Sequence, residues 1–217
     1  MSTIQQNLAA IKSSLPEHIT LVAVSKTKPV SALMEAYDAG QRIFGENRIQ
    51  EMTEKAALMP DDVQWHMIGH VQSNKVKYMA PFVALVHGVD SIKLLEEIDR
   101  QAAKNKRVID CLLQVHIAKE ESKFGFDFKE LDAAMTQIKA GTFPHVRIRG
   151  LMGMATFTTD EKQIRAEFDS LKVCFDKFRN IDTGFTLLSM GMSGDYRIAI
   201  EAGSNMVRIG SSIFGNR

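Results

Sequence analysis

Two rhythms of apolar and polar positions alternate along the chain. Short β-branched or apolar runs occur at 19–26 (ITLVAVSK), 42–47 (RIFGEN), 65–69 (WHMIG) and 84–90 (ALVHGVD). Others follow at 108–117 (VIDCLLQVHI), 148–155 (IRGLMGMA), 186–191 (TLLSMG) and 206–210 (MVRIG). Each predicts a strand. The segments between them carry apolar residues at helical spacing, with helix start and stop signals. Pro29 opens PVSALMEAYDAG at a first helical position and Gly40 closes it, the usual asymmetry of helix ends. Thr158 stands three residues before Glu161, a capping-box spacing ahead of the longest helical segment. SGDYRIAIEAG ends on Gly203, and a last helical turn, SSIFGNR, follows the final strand. Ile4, Leu8 and Ile11 predict one extra helix before the first strand.

About eight strand-then-helix units in strict alternation imply a parallel sheet covered by helices. That many units in 217 residues favour an α/β fold of the closed (β/α)8 barrel type over an open doubly wound sheet. Such barrels more often take about 250 residues, so the loops must be short. No composition break divides the chain, and a single barrel domain over 1–217 is expected.

Composition narrows the partners. The chain is 45% hydrophobic and 24% charged, with a net charge of +1 and no dense Lys/Arg run. A nucleic-acid partner is therefore not expected. Cys111 and Cys174 lie far apart, without metal-type spacing or a disulfide framework. The N-terminal segment lacks a secretory pattern, and no apolar stretch suits a bilayer. A cytoplasmic protein with no membrane partner is expected.

In a barrel of this kind the chemistry sits where strands end and βα loops begin. The strand ends read from the sequence are Lys26, Glu46 with Asn47, Gly69 with His70, Asp90, Ala118, Ala155, Met190 and Gly210. Lys26 follows the apolar run of the first strand. Desolvation at a barrel mouth favours a neutral amine, which attacks carbonyls and forms Schiff bases. From its position alone, Lys26 reads first as an ordinary loop lysine. The run NMVRIGSSIFG places a glycine and two serines at the start of the last helical turn, a pattern suited to an anion. The preceding loop, SMGMSGDY, adds Ser189, Gly191, Ser193 and Gly194 at the same corner. Both are also ordinary helix caps. In a closed barrel strand eight neighbours strand one, which brings Lys26 beside this corner. A Schiff-base lysine next to a phosphate pocket is what pyridoxal 5′-phosphate (PLP) requires.

VAVSKTKP, FGENRIQE, WHMIGHVQSNK, VDS, LMGMAT and LSMGMSGDYRIAIEAGSNMVRIGSSIFG occur in that order. Together they closely resemble the pyridoxal phosphate homeostasis protein family, essentially from end to end. The resemblance implies a barrel of the alanine racemase N-terminal domain type, PLP fold type III, that holds PLP without an established turnover. It implies that Lys26 forms the internal aldimine and that Ser193, Gly210 and Ser211 hold the phosphate, with Ser189 close by. Arg208 matches the arginine that faces the pyridine nitrogen, and Asn47 a polar group near the ring. A guanidinium there discourages protonation of the ring nitrogen and so mutes carbanion chemistry.

Other candidates have plain structural readings. Met152, Met154, Met190 and Met192 cluster near strand ends, as core filler or, with Met190 foremost, as lining for a flat ring. His66 and His70 are spaced for a metal only on a helix, and they fall on and after a strand. His87 and His116 suit barrel or loop positions. Trp65 suits the layer between barrel and helices. Asp195 suits a helix start.

Three functions compete. A PLP carrier stores, buffers or delivers the cofactor, with apo PLP-dependent enzymes as recipients. An amino-acid racemase of low activity is the alternative; it needs a second acid/base group, which alanine racemases draw from a further domain. The sequence ends at Arg217 and offers Tyr37, Tyr78 and Tyr196, all in helical segments. A class I aldolase carries its lysine on a later strand. The carrier reading, with an open cofactor site and a monomeric protein, is the expectation.

Overall fold

The computed structural model describes residues 1–119, 124–181 and 183–215. Helix α1 (Thr3–Ser14) precedes β1 (Thr20–Val24), and then α2 (Val30–Asp38), β2 (Ile43–Glu46), α3 (Ile49–Ala56) and β3 (Gln64–Met67) follow. A 3-10 turn at Ser73–Lys75 leads into α4 (Val76–Met79), then β4 (Leu85–Val89), α5 (Ile92–Lys104), β5 (Ile109–Gln114) and α6 (Phe128–Lys139). The chain continues through β6 (Val146–Met152), α7 (Glu161–Arg179), β7 (Leu187–Met192), α8 (Tyr196–Glu201), β8 (Met206–Ile209) and α9 (Ser211–Phe214). Of the expected last helical segment, Asn216 and Arg217 lie outside the described residues.

The strands pair in parallel in sequence order, and β8 returns to β1, so the sheet closes. At the seam Val22 lies opposite Arg208 and Ala23 opposite Ile209. Alternation then sorts the side chains. Val22, Leu85, Leu112, Met152 and Met206 pack together inside the barrel. Outward-facing Phe44, Leu151, Leu188 and Val207 meet the helices, where Phe168, Leu171 and Phe175 are also buried. Each such large side chain contributes on the order of 2 kcal/mol of hydrophobic stabilisation. Trp65 is buried in that outer layer with Phe44, ring centroids 6.1 Å apart. Helix α1 fills the outer ring beside the short α9, and Asn7 Nδ2 donates to the Ile213 carbonyl at 3.1 Å. Among the described residues no helix is long and apolar enough to cross a membrane.

Three local expectations are corrected. Pro29 is the N-cap of α2 rather than its first helical residue. The cap of α7 is Asp160, whose carboxylate accepts from the Lys162 and Gln163 amides; Thr158 instead accepts from the Asp160 amide. Strand β5 ends at Gln114, not Ile117, because the chain turns to bond with its own downstream segment. His116 donates to the Phe126 carbonyl and Phe126 to that of Gln114. Ala118 is thus not a strand end, and Gln114 takes that place.

Gly150 shows how closely the strands approach. Its φ is +153°, and a Cβ there would fall 1.7 Å from the Leu187 carbonyl oxygen. Gly40 has φ +81° with nothing within 4 Å. Gly150→Ala is therefore expected to cost at least about 3 kcal/mol, and Gly40→Ala about 1 kcal/mol. Urea unfolding of both variants checks the difference; equal losses would rule out the strand clash.

Candidate functional site

Where the strands end, a cavity of about 640 Å³ opens, with Lys26, Asn47, Arg208, Gly210, Ser193 and Ser211 on its wall. A smaller hollow of about 360 Å³ lies at the opposite end, near Lys12 and Gln41, away from the βα loops.

Lys26 is half-buried two residues beyond β1. Among the described residues its amine makes no hydrogen bond or ion pair. Its backbone, by contrast, is firmly held. The buried Ser25 hydroxyl donates to Glu46 Oε1 at 2.6 Å. Lys55 Nζ donates to the Ser25 carbonyl (2.8 Å), Glu46 (2.7 Å) and Glu51 (2.7 Å), which uses all three of its N–H bonds. Glu51 also accepts from the Thr27 amide at 2.5 Å. Burial pushes the Glu46 carboxyl up, opposed by the hydrogen bonds from Lys55 and Ser25. Thr27 sits at φ +63°, a left-handed conformation costing a β-branched residue on the order of 1–2 kcal/mol.

The loops after β7 and β8 meet at the corner of the cavity next to this amine. The Gly210 amide donates to Ser193 Oγ at 3.3 Å. No described residue accepts from the amides of Gly194 or Ser211, although both line the cavity. A Cβ at Gly210 would lie 3.0 Å from the Val24 carbonyl oxygen, so a side chain there would crowd the seam. Asp195 ties the β7 loop by accepting from the Met192 amide at 2.6 Å. Burial pushes its carboxyl up, partly offset by that bond and by the Arg208 charge. Free amides beside serine hydroxyls form an oxyanion cradle.

Arg208 rises from β8 into the cavity floor and is 3% exposed. Its Nη1 donates to the Ser189 carbonyl (2.9 Å) and to Ser189 Oγ (2.6 Å), and Nη2 to the Gly153 carbonyl (3.1 Å). Burial pushes the guanidinium down to about 10, with Asp195 pulling the other way. It remains a cation at neutral pH. Below it, Ser189 Oγ lies 3.0 Å from His87 Nδ1, and His87 Nε2 lies 3.0 Å from His66 Nδ1.

Six of the eight expected cofactor-site residues therefore share one cavity: Lys26, Asn47, Ser193, Arg208, Gly210 and Ser211. Two are placed elsewhere. Met190 points outward from β7 into the fully buried layer under the helices, because alternation turns it away from the barrel axis. Ser189 faces inward, but Arg208 covers it, and it is 0% exposed. Met154 and Met192 line the cavity instead. Gln114 and Phe124 also line it and escaped sequence reasoning, since the fifth strand was drawn too long. His70 stands at the mouth, 3.1 Å from Asp90 and stacked on Phe124 at 4.5 Å. His66 and His70 do not come together on one ligand. Among the described residues no three His, Cys, Asp or Glu gather to hold a metal.

Comparison with known proteins adds an independent line. The family described as "Alanine racemase, N-terminal domain" matches residues 1–217. A pyridoxal phosphate homeostasis protein of Vibrio alginolyticus is 40% identical, over 100% of this chain and 99% of that protein. The PLP-bound structure of PipY from Synechococcus elongatus superposes with a TM-score of 0.89 at 36% identity, over 98% of this chain and 100% of that one. An alanine racemase of Clostridium difficile gives a TM-score of 0.80 at 16% identity, over 99% of this chain and 56% of its own. That last likeness is one of fold alone.

The buried histidines make stability depend on acid. Burial lowers His66 from 6.5 to about 3; burial, then His66 and Arg208, hold His87 well below its ordinary value. Unfolded histidine takes a proton as pH falls through 6.5, and folded His66 does not until about 3. This stability is full above 6.5 and is lost on acidification. At pH 5, His66 alone accounts for about 2 kcal/mol. Urea unfolding at pH 7 and pH 5 is expected to give a loss smaller by that amount in His66→Gln. Equal losses would mean that His66 is not held neutral.

Proposed function

The chain belongs to the pyridoxal phosphate homeostasis protein family, and on that premise we propose that its barrel mouth holds PLP as a reversibly carried cofactor, anchored on Lys26. One observation carries the reading: an amine with no partner among the described residues and an unfilled oxyanion cradle line one cavity, because β1 abuts β8. The residues fit the group. A cavity of about 640 Å³ accommodates a compact cofactor within the usual range for ligand sites. When bound, the cofactor supplies an aldehyde that condenses with a primary amine, releasing water.

The chain's own residues then divide the work. Lys26 offers the amine, and its held backbone fixes where that amine starts. The amides of Gly194 and Ser211, with the Ser193 and Ser211 hydroxyls, bind the phosphate as donors. Arg208 has Nε and one Nη2 hydrogen without a described acceptor, and it would be the donor to the ring nitrogen. A donor-only cation keeps that nitrogen an acceptor, so the ring is a weak electron sink. Asn47, just after β2 on the cavity wall, would supply a polar contact to the ring. This division favours holding over turnover. Among the described residues lining the cavity no tyrosine stands opposite Lys26. Tyr196 is instead buried on α8, beside Arg197.

We read the protein as a single barrel domain, monomeric and cytoplasmic, that buffers PLP or passes it to apo-enzymes. The mouth offers incoming amines a route to the anchored carbon, which suits release by exchange. The racemase alternative has one observation in its favour. His70, paired with Asp90, reaches the cavity wall and is a candidate second proton carrier.

The purified protein with PLP is expected to show a visible band, with borohydride fixing the cofactor on the Lys26 peptide. Lys26→Ala should lose both. Ser211→Asp should weaken retention roughly tenfold or more by placing a carboxylate against the phosphate. Modification of another lysine would overturn the anchor. Transfer of cofactor to an apo-enzyme faster than from free PLP supports delivery; no transfer and no buffering of free PLP would end the carrier reading. Conversion of one alanine enantiomer into the other, lost in His70→Ala, would establish the racemase instead.

A further inference from the structure

The barrel interior carries a polar chain that the proposed cofactor contacts leave unexplained. Two residues before the mouth-facing positions, next to the apolar layer of the barrel, stand His66, His87 and Ser189, all buried. They link β3, β4 and β7 to Arg208 on β8 through contacts of 3.0, 3.0 and 2.6 Å. Their donor and acceptor roles follow from a single fact: arginine only donates.

Ser189 Oγ must accept from Arg208 Nη1, which leaves its own hydrogen to give. No other described acceptor is in reach of that hydroxyl, so it donates to His87 Nδ1. A neutral His87 then carries its proton on Nε2 and donates to His66 Nδ1, and His66 keeps its proton on Nε2. The reverse order would leave the Ser189 hydrogen buried without an acceptor, which costs more than the bond is worth. A charged imidazole in either place would face the Arg208 guanidinium across apolar core, and burial keeps both rings neutral.

We propose that Ser189, His87 and His66 form a one-directional hydrogen-bond relay that positions the Arg208 guanidinium as a fixed donor to the cofactor ring. This rests on the reading that the cavity holds PLP over Arg208. The three residues touch no ligand and act only through Arg208. With Nη1 committed to Ser189 and Nη2 to Gly153, the guanidinium plane cannot rotate, and its remaining hydrogens keep one direction. The relay thereby sets the electronic state of the ring from below, out of reach of whatever enters at the mouth.

The relay is first tested in the cofactor-free full chain by nitrogen-15 NMR of labelled histidines. Both His66 and His87 are expected as the Nε2–H tautomer; a proton on His87 Nδ1 overturns the relay, whether or not the protein binds PLP. The link to the cofactor is tested by spectral titration with PLP. Ser189→Ala and His87→Leu should weaken binding roughly tenfold and shift the visible band. His87→Gln, which can accept and donate in the same directions, should stay within about twofold of the parent. If His87→Leu and His87→Gln weaken binding equally, the chain only fills space and the proposal fails. A parent protein that binds no PLP would end the functional reading, with the tautomer result still deciding the relay.

Discussion

The pairing of the last strand with the first is the constraint from which the rest follows. Until β8 meets β1, Lys26 and the Gly210–Ser211 turn are separated by nearly the whole chain. Once Ala23 lies opposite Ile209, the amine and the cradle stand side by side on one cavity. Neither half has a chemical use alone. Loop-closure entropy opposes bringing such distant segments together, and burial of aromatic and aliphatic side chains between barrel and helices offsets it.

Closure also sorts the barrel interior into zones. Apolar Val22, Leu85, Leu112 and Met206 fill the end where the strands begin. Two residues further along, three of these strands supply His87, Gln114 and Arg208, and the interior turns polar toward the cavity. Buried polar groups are tolerated only when paired. His66, His87, Ser189 and Arg208 meet that demand with one another rather than with solvent. The apolar layer keeps the chain rigid, and the polar layer gives the site its charge.

Much of this was legible in the sequence, for reasons that differ by residue. The eight strands and the barrel follow from periodicity, which burial on one face enforces. Lys26, Asn47 and Gly210 follow from strand ends, where a barrel opens toward its βα loops, whereas Arg208 is reached only through the family resemblance. Met190 was misread because a one-residue shift along a strand reverses the face. Ser189 was read as a cradle residue because its loop neighbours are, yet it lies a step deeper, beneath Arg208. Gln114 and Phe124 depend on where β5 stops, and that is decided by pairing with Phe126, a long-range event. The histidine chain left no sequence signal beyond two inward positions, as its members come from three strands. Family membership enlarges the functional reading without changing these geometric ones.

Thr27 deserves a last thought. A β-branched residue in a left-handed conformation resists repositioning, and the Glu51–Lys55–Glu46 network holds it from behind. The main chain at Lys26 is thus a stiff post, while four methylene carbons leave its tip free to swivel. On the proposed reading, loading and unloading would ask only for bond rotations in one side chain, with the scaffold standing still. Exchange speed on such a post would be governed by the chemistry of amine and aldehyde rather than by fold stability.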